Sequence, residues 1–201
     1  MLEDLTFKSL GRVNYFETLD LMKSHVKEKD FTNEIWLLEH PPVFTLGTAA
    51  NKNNILDSKE IPIVQSDRGG EVTYHGPGQL VIYFLLDIAK LELSPRKFVT
   101  IIQDFVKELL ADMAIECSFI ENAPGVYIDK KKIASIGLRF SRGKSYHGIS
   151  INFDMDLTPF EQINPCGYKG LEVTQIKNLN KSITKIELEK KAIDLLRFGL
   201  K

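Results

Sequence analysis

Cys166 is a candidate for covalent chemistry because of its residue type and its immediate neighbours. It lies in the run Asn164-Pro165-Cys166-Gly167, where the proline and the glycine predict a rigid, exposed turn. Cysteine is the best side-chain nucleophile near neutral pH, and it gains reactivity where its surroundings stabilise the thiolate. From the residues alone, an inert thiol and a nucleophile fit this position equally well. The second cysteine, Cys117, follows a predicted helix, and we interpret it as a small buried apolar residue.

Lys132 is a candidate acid or base because it opens an apolar run, residues 133–137. A lysine that is drawn into a partly dry site can exchange its proton, because the loss of water favours the neutral amine. The alternative is that Lys130, Lys131 and Lys132 together form the solvated tip of a hairpin. Composition alone favours this alternative.

A glycine-rich run at residues 68–79 is the third candidate, since four of the 13 glycines fall within it. Glycine allows a close approach of the backbone to a ligand and permits positive φ. At the edge of the run, Arg68 can pair with an anion, and His75 can act as a base or a hydrogen-bond donor. The alternative, a pair of tight turns around a short strand, fits the residues equally well.

The remaining histidines are weaker candidates. We interpret His25 as an exposed residue on a charged helix and His40 as part of a rigid turn before two prolines. His147 lies beside Gly148, where a ligand can approach the backbone. No histidine and cysteine pair has the spacing of zinc ligands, and no phosphate-binding loop of the Walker type is present, so we expect no metal.

The elements that must position these residues predict an α+β domain. Three helix starts carry capping signals, at Asn14 with Glu17, at Ser94-Pro95, and at Thr184 with Glu187. We expect Ile186, Ala192, Ile193 and Leu196 to form the apolar face of the last helix. Strands are predicted at residues 35–38, 43–46, 61–64 and 80–86, followed by an antiparallel meander over residues 125–128, 133–140 and 145–153. Helices that flank mostly antiparallel strands define the α+β class.

Composition limits the functions that are open to the chain. The 201 residues are 43% hydrophobic and 26% charged with a net charge of −1, which excludes intrinsic disorder and argues against nucleic-acid binding as the main role. No apolar run approaches the roughly 20 residues that span a bilayer. The acidic start, Met1-Leu2-Glu3-Asp4, is unlike a signal peptide, so we expect a cytoplasmic protein without a disulfide, folded as one domain over residues 1–201.

Four motifs in this order resemble the octanoyltransferase, or lipoyl(octanoyl) transferase, family of lipoate biosynthesis. They are residues 68–79, 132–137, 147–150 and 164–167, and residues 39–47 resemble an upstream signature of the same family. The resemblance implies the biotin/lipoate protein ligase fold, an α+β domain with a mixed sheet. It also implies transfer of an octanoyl or lipoyl group from acyl carrier protein to a lysine of a lipoyl domain, without a cofactor. Acceptors would be the lipoyl domains of 2-oxoacid dehydrogenases and the glycine cleavage H protein.

The resemblance also implies roles for individual residues. Cys166 matches the nucleophile that carries the acyl thioester, and Lys132 matches the lysine that assists it. The acyl pocket would be formed by Arg68, Gly69, Gly70, Glu71, Val72, Thr73, Tyr74 and His75, by Ser135, Ile136 and Gly137, and by Gly148, Ile149 and Ser150.

The chemistry of such a transfer agrees with these residue types. The carrier-bound chain is already a thioester, so its exchange onto a cysteine is close to thermoneutral and needs no ATP. We expect Ala134, Gly137 and Gly148 to line a slot for the acyl tail. A basic patch for docking acidic protein substrates is predicted on the meander turns, from Lys130, Lys131, Arg139, Arg142 and Lys144.

Three other functions remain open at this point. An ATP-dependent lipoate–protein ligase would share the fold and the pocket lysine but would have no need of Cys166. A non-catalytic acyl-binding or carrier-binding module would use neither Cys166 nor Lys132. A cysteine–histidine hydrolase would leave Lys132 unexplained. ATP dependence is the cheapest observation that separates the first of these from the transferase.

Overall fold

Two mixed β-sheets form the centre of the computed structural model, which describes residues 5–120 and 123–199 and, at Cys166, the backbone alone. The ten strands are β1 (Leu5–Arg12), β2 (Asn33–Glu39), β3 (Val43–Leu46), β4 (Ile63–Gln65), β5 (Val72–His75), β6 (Gln79–Leu85), β7 (Ser118–Ile120), β8 (Ala123–Ile128), β9 (Lys131–Ser141) and β10 (Lys144–Asn152). The large sheet has the order β1-β2-β6-β10-β9-β8-β7, and the small sheet has the order β4-β3-β5. Only β1 with β2 and β3 with β4 pair in parallel in this part of the chain.

Four α-helices pack around the sheets in the described residues: α1 (Tyr15–His25), α2 (Pro95–Ala111), α3 (Ile176–Leu179) and α4 (Lys185–Gly199). None of them is long and apolar enough to cross a membrane. The prediction made on Met1–Asp4 falls outside the residues that the structure describes. The α+β class predicted from the sequence is confirmed.

The central strand β6 is apolar on both faces because both faces are covered. Leu80, Ile82 and Phe84 join the core beneath α2 and α4. Val81 and Tyr83 join a second core with residues of α1. Alternate residues of a strand point to opposite faces, so a continuous apolar run is what a strand between two layers requires.

The predicted helix starts are confirmed by the capping bonds. Asn14 Oδ1 accepts from the backbone N–H of Phe16 at 2.9 Å, and Ser94 Oγ accepts from that of Lys97 at 3.2 Å. At α4 the backbone N–H of Thr184 donates to Glu187 Oε2 at 2.8 Å, and the N–H of Glu187 donates back to Thr184 Oγ1 at 3.3 Å. Each bond satisfies a backbone donor that the first turn of a helix leaves without a partner.

The predicted apolar face of α4 was wrong at one residue. Ile186 is 80% exposed, and the residues that enter the core are Leu188, Ala192 and Leu196. These three lie four residues apart, which keeps them on one side of the helix. Ile186 lies off that line.

The strands of the meander are confirmed, but the basic patch predicted on its turns is not a single surface. The turn before β9 holds Lys130 and the turn after it holds Arg142. Eleven residues of strand separate the two turns by roughly 35 Å. In addition, Lys131 Nζ lies 2.6 Å from Glu172 Oε2, and Lys144 Nζ donates to the carbonyl of Val26 at 3.1 Å.

Candidate active site

A cavity of about 390 Å³ lies between the inner face of the small sheet and the large sheet. This volume is within the range of about 300–1,000 Å³ that is usual for small-molecule sites. The lining comes from α1, α2, the loop before β5, the strands β5, β6, β8, β9 and β10, and the residue that follows the Pro165–Gly167 turn. It comprises Tyr15, Arg68, Gly69, Gly70, Glu71, Val72, Thr73, His75, Val81, Tyr83, Val99, Pro124, Ser135, Ile136, Gly137, Leu138, Phe140, His147, Gly148, Ile149, Ser150 and Tyr168.

All but one of the predicted pocket residues therefore line a single cavity. The exception is Tyr74, whose ring packs edge-on against Phe160 on the opposite face of the small sheet. Alternation along β5 explains this difference, because Thr73 and His75 point inward and Tyr74 points away. That these residues bind an acyl chain stays a prediction.

Small residues on the neighbouring strands β9 and β10 leave open space on the side of the cavity that the large sheet forms. Ser150 pairs with Ser135 on β9, and Gly148 pairs with Gly137. A Cβ on Gly137 would lie 3.1 Å from Arg68 Cδ and would push on the loop that covers the cavity. Ala134, which we expected in the slot, is instead part of the core beneath the sheet.

Arg68 stabilises the loop before β5, residues 66–71, which covers the cavity and is called the covering loop below. Its guanidinium is buried and donates to the carbonyl oxygens of Thr45 at 2.6 Å, Glu71 at 2.7 Å and Gly69 at 2.9 Å. These acceptors lie within the protein, so the contacts indicate a structural role and do not support the anion-binding role considered from the sequence.

His75 lines the cavity as a neutral side chain. The Gln79 amide nitrogen donates to Asn152 Oδ1 at 2.9 Å, so Gln79 Oε1 is left to accept a hydrogen bond from the N–H at His75 Nδ1 at 2.7 Å. Complete burial lowers the pKa of His75 well below its usual value.

The interpretation of His25 as an exposed residue is wrong, and His40, which we interpreted as part of a rigid turn, is buried as well. His25 is buried, with Nε2 2.9 Å from the carbonyl oxygen of Thr32. His40 is completely buried, with Nδ1 2.7 Å from the carbonyl oxygen of Val13 and Nε2 2.8 Å from the Tyr83 hydroxyl. Burial lowers the pKa of His40 to about 4.

Acid is expected to destabilise the protein through the buried His40, whose pKa is lowered by burial. An unfolded histidine binds a proton near pH 6.5, whereas His40 in the folded chain does so only near pH 4. The unfolded state therefore takes up more protons in this window, and the unfolding free energy falls as the pH drops from about 6.5 to 4. His40 alone accounts for about 3 kcal/mol by pH 4. Urea unfolding at pH 8, 6, 5 and 4.5 measures this loss, and an unfolding free energy that stays flat over the series contradicts it.

Lys132 is 2% exposed, so the alternative of a solvated hairpin tip is wrong for this residue. Lys130 and Lys131 are exposed, as that alternative predicts. Its Nζ donates to the carbonyl of Pro124, a residue of the cavity wall, at 2.8 Å. It also lies 5.3 Å from the ring centroid of Tyr127.

The backbone around Lys132 and a glycine beside it explain how a lysine can be buried there. Its N–H donates to the carbonyl of Glu172 at 2.9 Å, and its carbonyl accepts from the N–H of Thr174 at 2.9 Å, so residues 172–174 pair alongside β9. Gly125 has a φ of +144°, and a Cβ there would collide with Lys132 Cε. Only glycine at this position leaves a path for the side chain.

The turn that contains Cys166 borders the same cavity. Residues Pro165–Gly167 form a single 3₁₀ turn. A Cβ on Gly167 would lie 3.4 Å from Glu71 Cγ, and Tyr168, the next residue, lines the cavity. The side chain of Cys166 is outside what the structure describes, so its role as nucleophile stays a prediction.

Hydrogen bonds hold this turn against the covering loop. The N–H of Asn164 donates to the carbonyl of Asn54 at 2.7 Å, and Asn54 Nδ2 donates to Glu71 Oε2 at 3.2 Å. Cys117 lies elsewhere, half-buried against the core, and burial raises the pKa of its thiol. Cys117 is therefore held in the less nucleophilic thiol form.

Several residues of the cavity wall had no distinctive signal in the sequence. Tyr15, Val81, Tyr83 and Leu138 occur in ordinary apolar or helical patterns. The one usable signal was the Asn14 cap, which places Tyr15 in the first turn of α1. Their convergence depends on the packing of the two sheets.

The fold and the cavity define an α+β domain with a ligand-sized cavity between its two sheets, and comparison with known proteins identifies its family. Residues 14–196 match the family model described as the lipoyl protein ligase A/B catalytic domain. The chain is 50% identical over 182 residues to an octanoyltransferase of Marinomonas sp. (strain MWYL1), covering 90% of this chain and 85% of that protein. It is also 50% identical over 179 residues to an octanoyltransferase of Dechloromonas aromatica (strain RCB), covering 88% and 87%.

The chain therefore belongs to the lipoyl protein ligase A/B family and, within it, to the octanoyltransferases, which are acyltransferases. The family match covers residues 14–196, and a single domain over residues 1–201 stays a prediction.

Solved structures confirm the expected fold. A lipoate-protein ligase A bound with ATP superposes with a TM-score of 0.80 at 13% identity, covering 98% of this chain and 85% of that chain. A biotin protein ligase from Aquifex aeolicus has a TM-score of 0.58 at 16% identity, covering 100% and 69%. At these identities the likeness concerns the fold alone. The alternative of an ATP-dependent ligase is not favoured, because the relatives that are half identical are octanoyltransferases.

Proposed function

We propose that this chain transfers an octanoyl group from acyl carrier protein to a lysine of a lipoyl domain through a thioester on Cys166. The observation that carries the proposal is the placement of a buried lysine and the Cys166 turn at one mostly apolar cavity. Lys132 reaches the cavity wall at Pro124. The two residues after Cys166 reach it as well, because Gly167 lies beside Glu71 and Tyr168 is part of the lining.

In the first half-reaction the Cys166 sulfur attacks the thioester carbonyl of the donor. The new carbon–sulfur bond replaces the one to the carrier, and the thiol proton passes through the Lys132 amine to the departing carrier thiolate. One thioester is formed as another is broken, so the step needs no ATP. The positive charge of the protonated Lys132 amine also stabilises the attacking thiolate of Cys166 in this scheme.

In the second half-reaction the neutral amine of the acceptor lysine attacks the Cys166 thioester. The carbonyl carbon exchanges sulfur for nitrogen, and the cysteine regains its proton through Lys132. The products are an amide and a free thiol, and the step runs downhill because an amide is more stable than a thioester. Family membership supports a lipoyl-domain acceptor, since a related structure describes a lipoate protein ligase together with its E2 lipoyl domain.

Thr73 supplies a hydrogen-bond donor for the thioester carbonyl in this scheme. Its hydroxyl is buried in the cavity wall, and Oγ1 has no hydrogen-bond partner among the described residues. Thr73 is two residues from Glu71, which contacts the Cys166 turn. A donor held ready at this place stabilises the negative charge that develops on the carbonyl oxygen.

Removal of the Thr73 hydroxyl is expected to slow the transfer of the octanoyl group. Thr73→Val keeps the shape of the side chain and removes the donor, and we expect a loss of about 10²-fold in kcat with octanoyl-carrier protein. Thr73→Ser keeps the hydroxyl and is expected to retain most of the activity. Equal rates for the valine and serine variants would show that the hydroxyl has no part in the reaction.

Intact-protein mass spectrometry tests the proposed function directly. Incubation with octanoyl-acyl carrier protein, without ATP, is expected to add one octanoyl group, which peptide mapping places on Cys166. Addition of a lipoyl domain is expected to remove the adduct and to increase the mass of that domain by the same amount. Transfer that requires ATP and leaves no adduct would support the ligase instead.

A further inference from the structure

His147 adopts a strained backbone conformation that brings its ring to the cavity. It is a non-glycine residue with a φ of +58° within β10, and histidine is among the few residues that tolerate this region. In a regular strand Tyr146 and His147 would face opposite sides. Here the Tyr146 hydroxyl donates to Asp67 Oδ2 at 2.6 Å, and His147 Nε2 lies 2.9 Å from Asp67 Oδ1.

The contact with Asp67 decides which nitrogen of the imidazole carries the proton. Burial raises the pKa of Asp67, but its bonds to His147 and Tyr146 and the nearby charge of Lys23 together lower it below its usual value. The carboxylate is therefore ionised and can only accept. The proton of a neutral His147 is therefore on Nε2, and Nδ1 presents a lone pair. Burial lowers the pKa of His147, which keeps the ring neutral near pH 7.

Nδ1 of His147 is thus a buried acceptor in the cavity wall. The side chain is 1% exposed, and no described residue donates to this atom. Buried polar atoms in native proteins nearly always have a hydrogen-bond partner. A strained residue of a cavity wall that carries such an atom points to a ligand with a hydrogen-bond donor.

The only polar group of an unsubstituted octanoyl chain is its carbonyl, which is an acceptor and belongs to the reacting end. The donors of the carrier and of the acceptor lysine also approach at that end. The distal half of the chain is hydrocarbon, so it offers Nδ1 of His147 no partner.

Strand register relates the position of His147 to the amino group of Lys132, which marks the thioester end of the acyl chain in the proposed function. Lys132 Nζ lies at Pro124, two residues before Val126, which pairs with Ala134. This puts the amino group near the level of residue 136, while His147 pairs with Leu138, about 7 Å further along β9. An extended eight-carbon chain with bonds of about 1.5 Å covers roughly 9 Å. His147 is on β10, a further strand spacing of about 5 Å to the side, so the two groups are roughly 9 Å or more apart. This separation is too long for contact with the thioester and is comparable with the length of the acyl chain.

We infer that the inner end of this cavity is a subsite for a hydroxyl group on the distal carbons of the acyl chain, with His147 as its acceptor. The enzyme would then transfer acyl thioesters with a terminal or near-terminal hydroxyl as well as octanoyl. This inference rests on the proposed function for the direction in which the chain lies. It makes His147 a specificity-determining residue with no part in the chemical step.

Competition between acyl thioesters tests the subsite. The probes are the N-acetylcysteamine thioesters of octanoate, 8-hydroxyoctanoate and 3-hydroxyoctanoate, with a lipoyl domain as acceptor. In an apolar pocket a buried hydroxyl without a partner is penalised by tenfold or more. We expect the wild-type enzyme to use the 8-hydroxy chain at least as well as octanoyl, as measured by the ratio of their kcat/KM values.

The His147→Asn variant, which tolerates positive φ, is expected to lower the ratio for the 8-hydroxy chain about tenfold. The ratio for the 3-hydroxy chain, whose hydroxyl lies near the thioester, is expected to stay unchanged. A wild-type enzyme that rejects the 8-hydroxy chain tenfold, or a variant that changes both ratios equally, would overturn the inference.

Imidazole nitrogen NMR of the unmodified enzyme gives a readout that does not depend on turnover or on the variant. The Nδ1 resonance of His147 is expected to be that of an unprotonated nitrogen and to shift when 8-hydroxyoctanoate binds, but not when octanoate binds. No selective shift would overturn the subsite. Absence of octanoyl transfer in the same preparations would overturn the proposed function instead, so the two failures are distinct.

Discussion

A Cys166→Ala variant is expected to form no octanoyl adduct and to show no transfer to a lipoyl domain. No other thiol of the chain is suited to replace it, because the chain has two cysteines and burial raises the pKa of Cys117. Without a nucleophile the reaction cannot be divided into two thioester-based steps, and direct aminolysis of the carrier thioester has no covalent assistance. Mass spectrometry with octanoyl-acyl carrier protein, followed by a transfer assay, measures both steps.

Cys117→Ala is the matched control for this experiment. It removes the same atoms from the other cysteine and is expected to retain adduct formation and transfer. An adduct that persists in Cys166→Ala, or that maps to Cys117 in the wild-type protein, would assign the nucleophile elsewhere.

Lys132→Arg is expected to reduce kcat by about 10²- to 10⁴-fold, which is the usual contribution of general acid–base catalysis. Arginine keeps a positive charge at position 132, but its guanidinium does not release a proton at accessible pH. The variant therefore separates electrostatic support of a thiolate from proton transfer. Steady-state rates from pH 6 to 9 measure the effect, and one limb of the pH–rate profile is expected to flatten.

The neighbouring lysines provide controls with the same substitution. Lys130→Arg and Lys131→Arg change exposed side chains and are expected to leave the rate almost unchanged. Near-full activity of Lys132→Arg beside an inactive Lys131→Arg would show that the motif has been aligned one residue out of place. If all three variants are active, the lysine mechanism is wrong and the next candidate base is His75.

A second variant addresses Lys132 without changing it. Gly125→Ala places a methyl group where Lys132 Cε passes, at a φ that alanine rarely adopts. Displacement of the lysine from Pro124 is expected to reduce kcat in the same direction as Lys132→Arg. Circular dichroism and thermal unfolding of the variant distinguish a displaced lysine from an unfolded domain.

Local signals in the sequence were sufficient for the elements and for the family. The helix starts at Asn14, Ser94 and Thr184 depend on side chains within three residues of the backbone groups that they cap, so they can be read without tertiary structure. The apolar run of β6 likewise indicates a strand covered on both faces. The order of four short motifs indicated the octanoyltransferases, which the comparisons confirm.

The orientation of Tyr74 was also within reach of the sequence. Residues 72–75 alternate between large apolar and polar side chains, and that alternation separates the inward residues Thr73 and His75 from Tyr74. A reading of the motif as one continuous wall includes Tyr74, whereas the two-residue period of the strand excludes it.

The sequence alone indicates the candidate residues for acyl transfer. Contacts between distant segments determine the burial and the hydrogen-bond partners of those residues. Lys132 resembles its solvated neighbours until residues 172–174 pair beside it, forty positions further along the chain. Arg68 has the appearance of an anion site until the carbonyls of Thr45 and Glu71 occupy it. The proton on His147 is placed by Asp67, which lies 80 residues away. Burial, charge state and hydrogen-bond partners depend on atoms that come together only when the two sheets pack, so no local pattern specifies them.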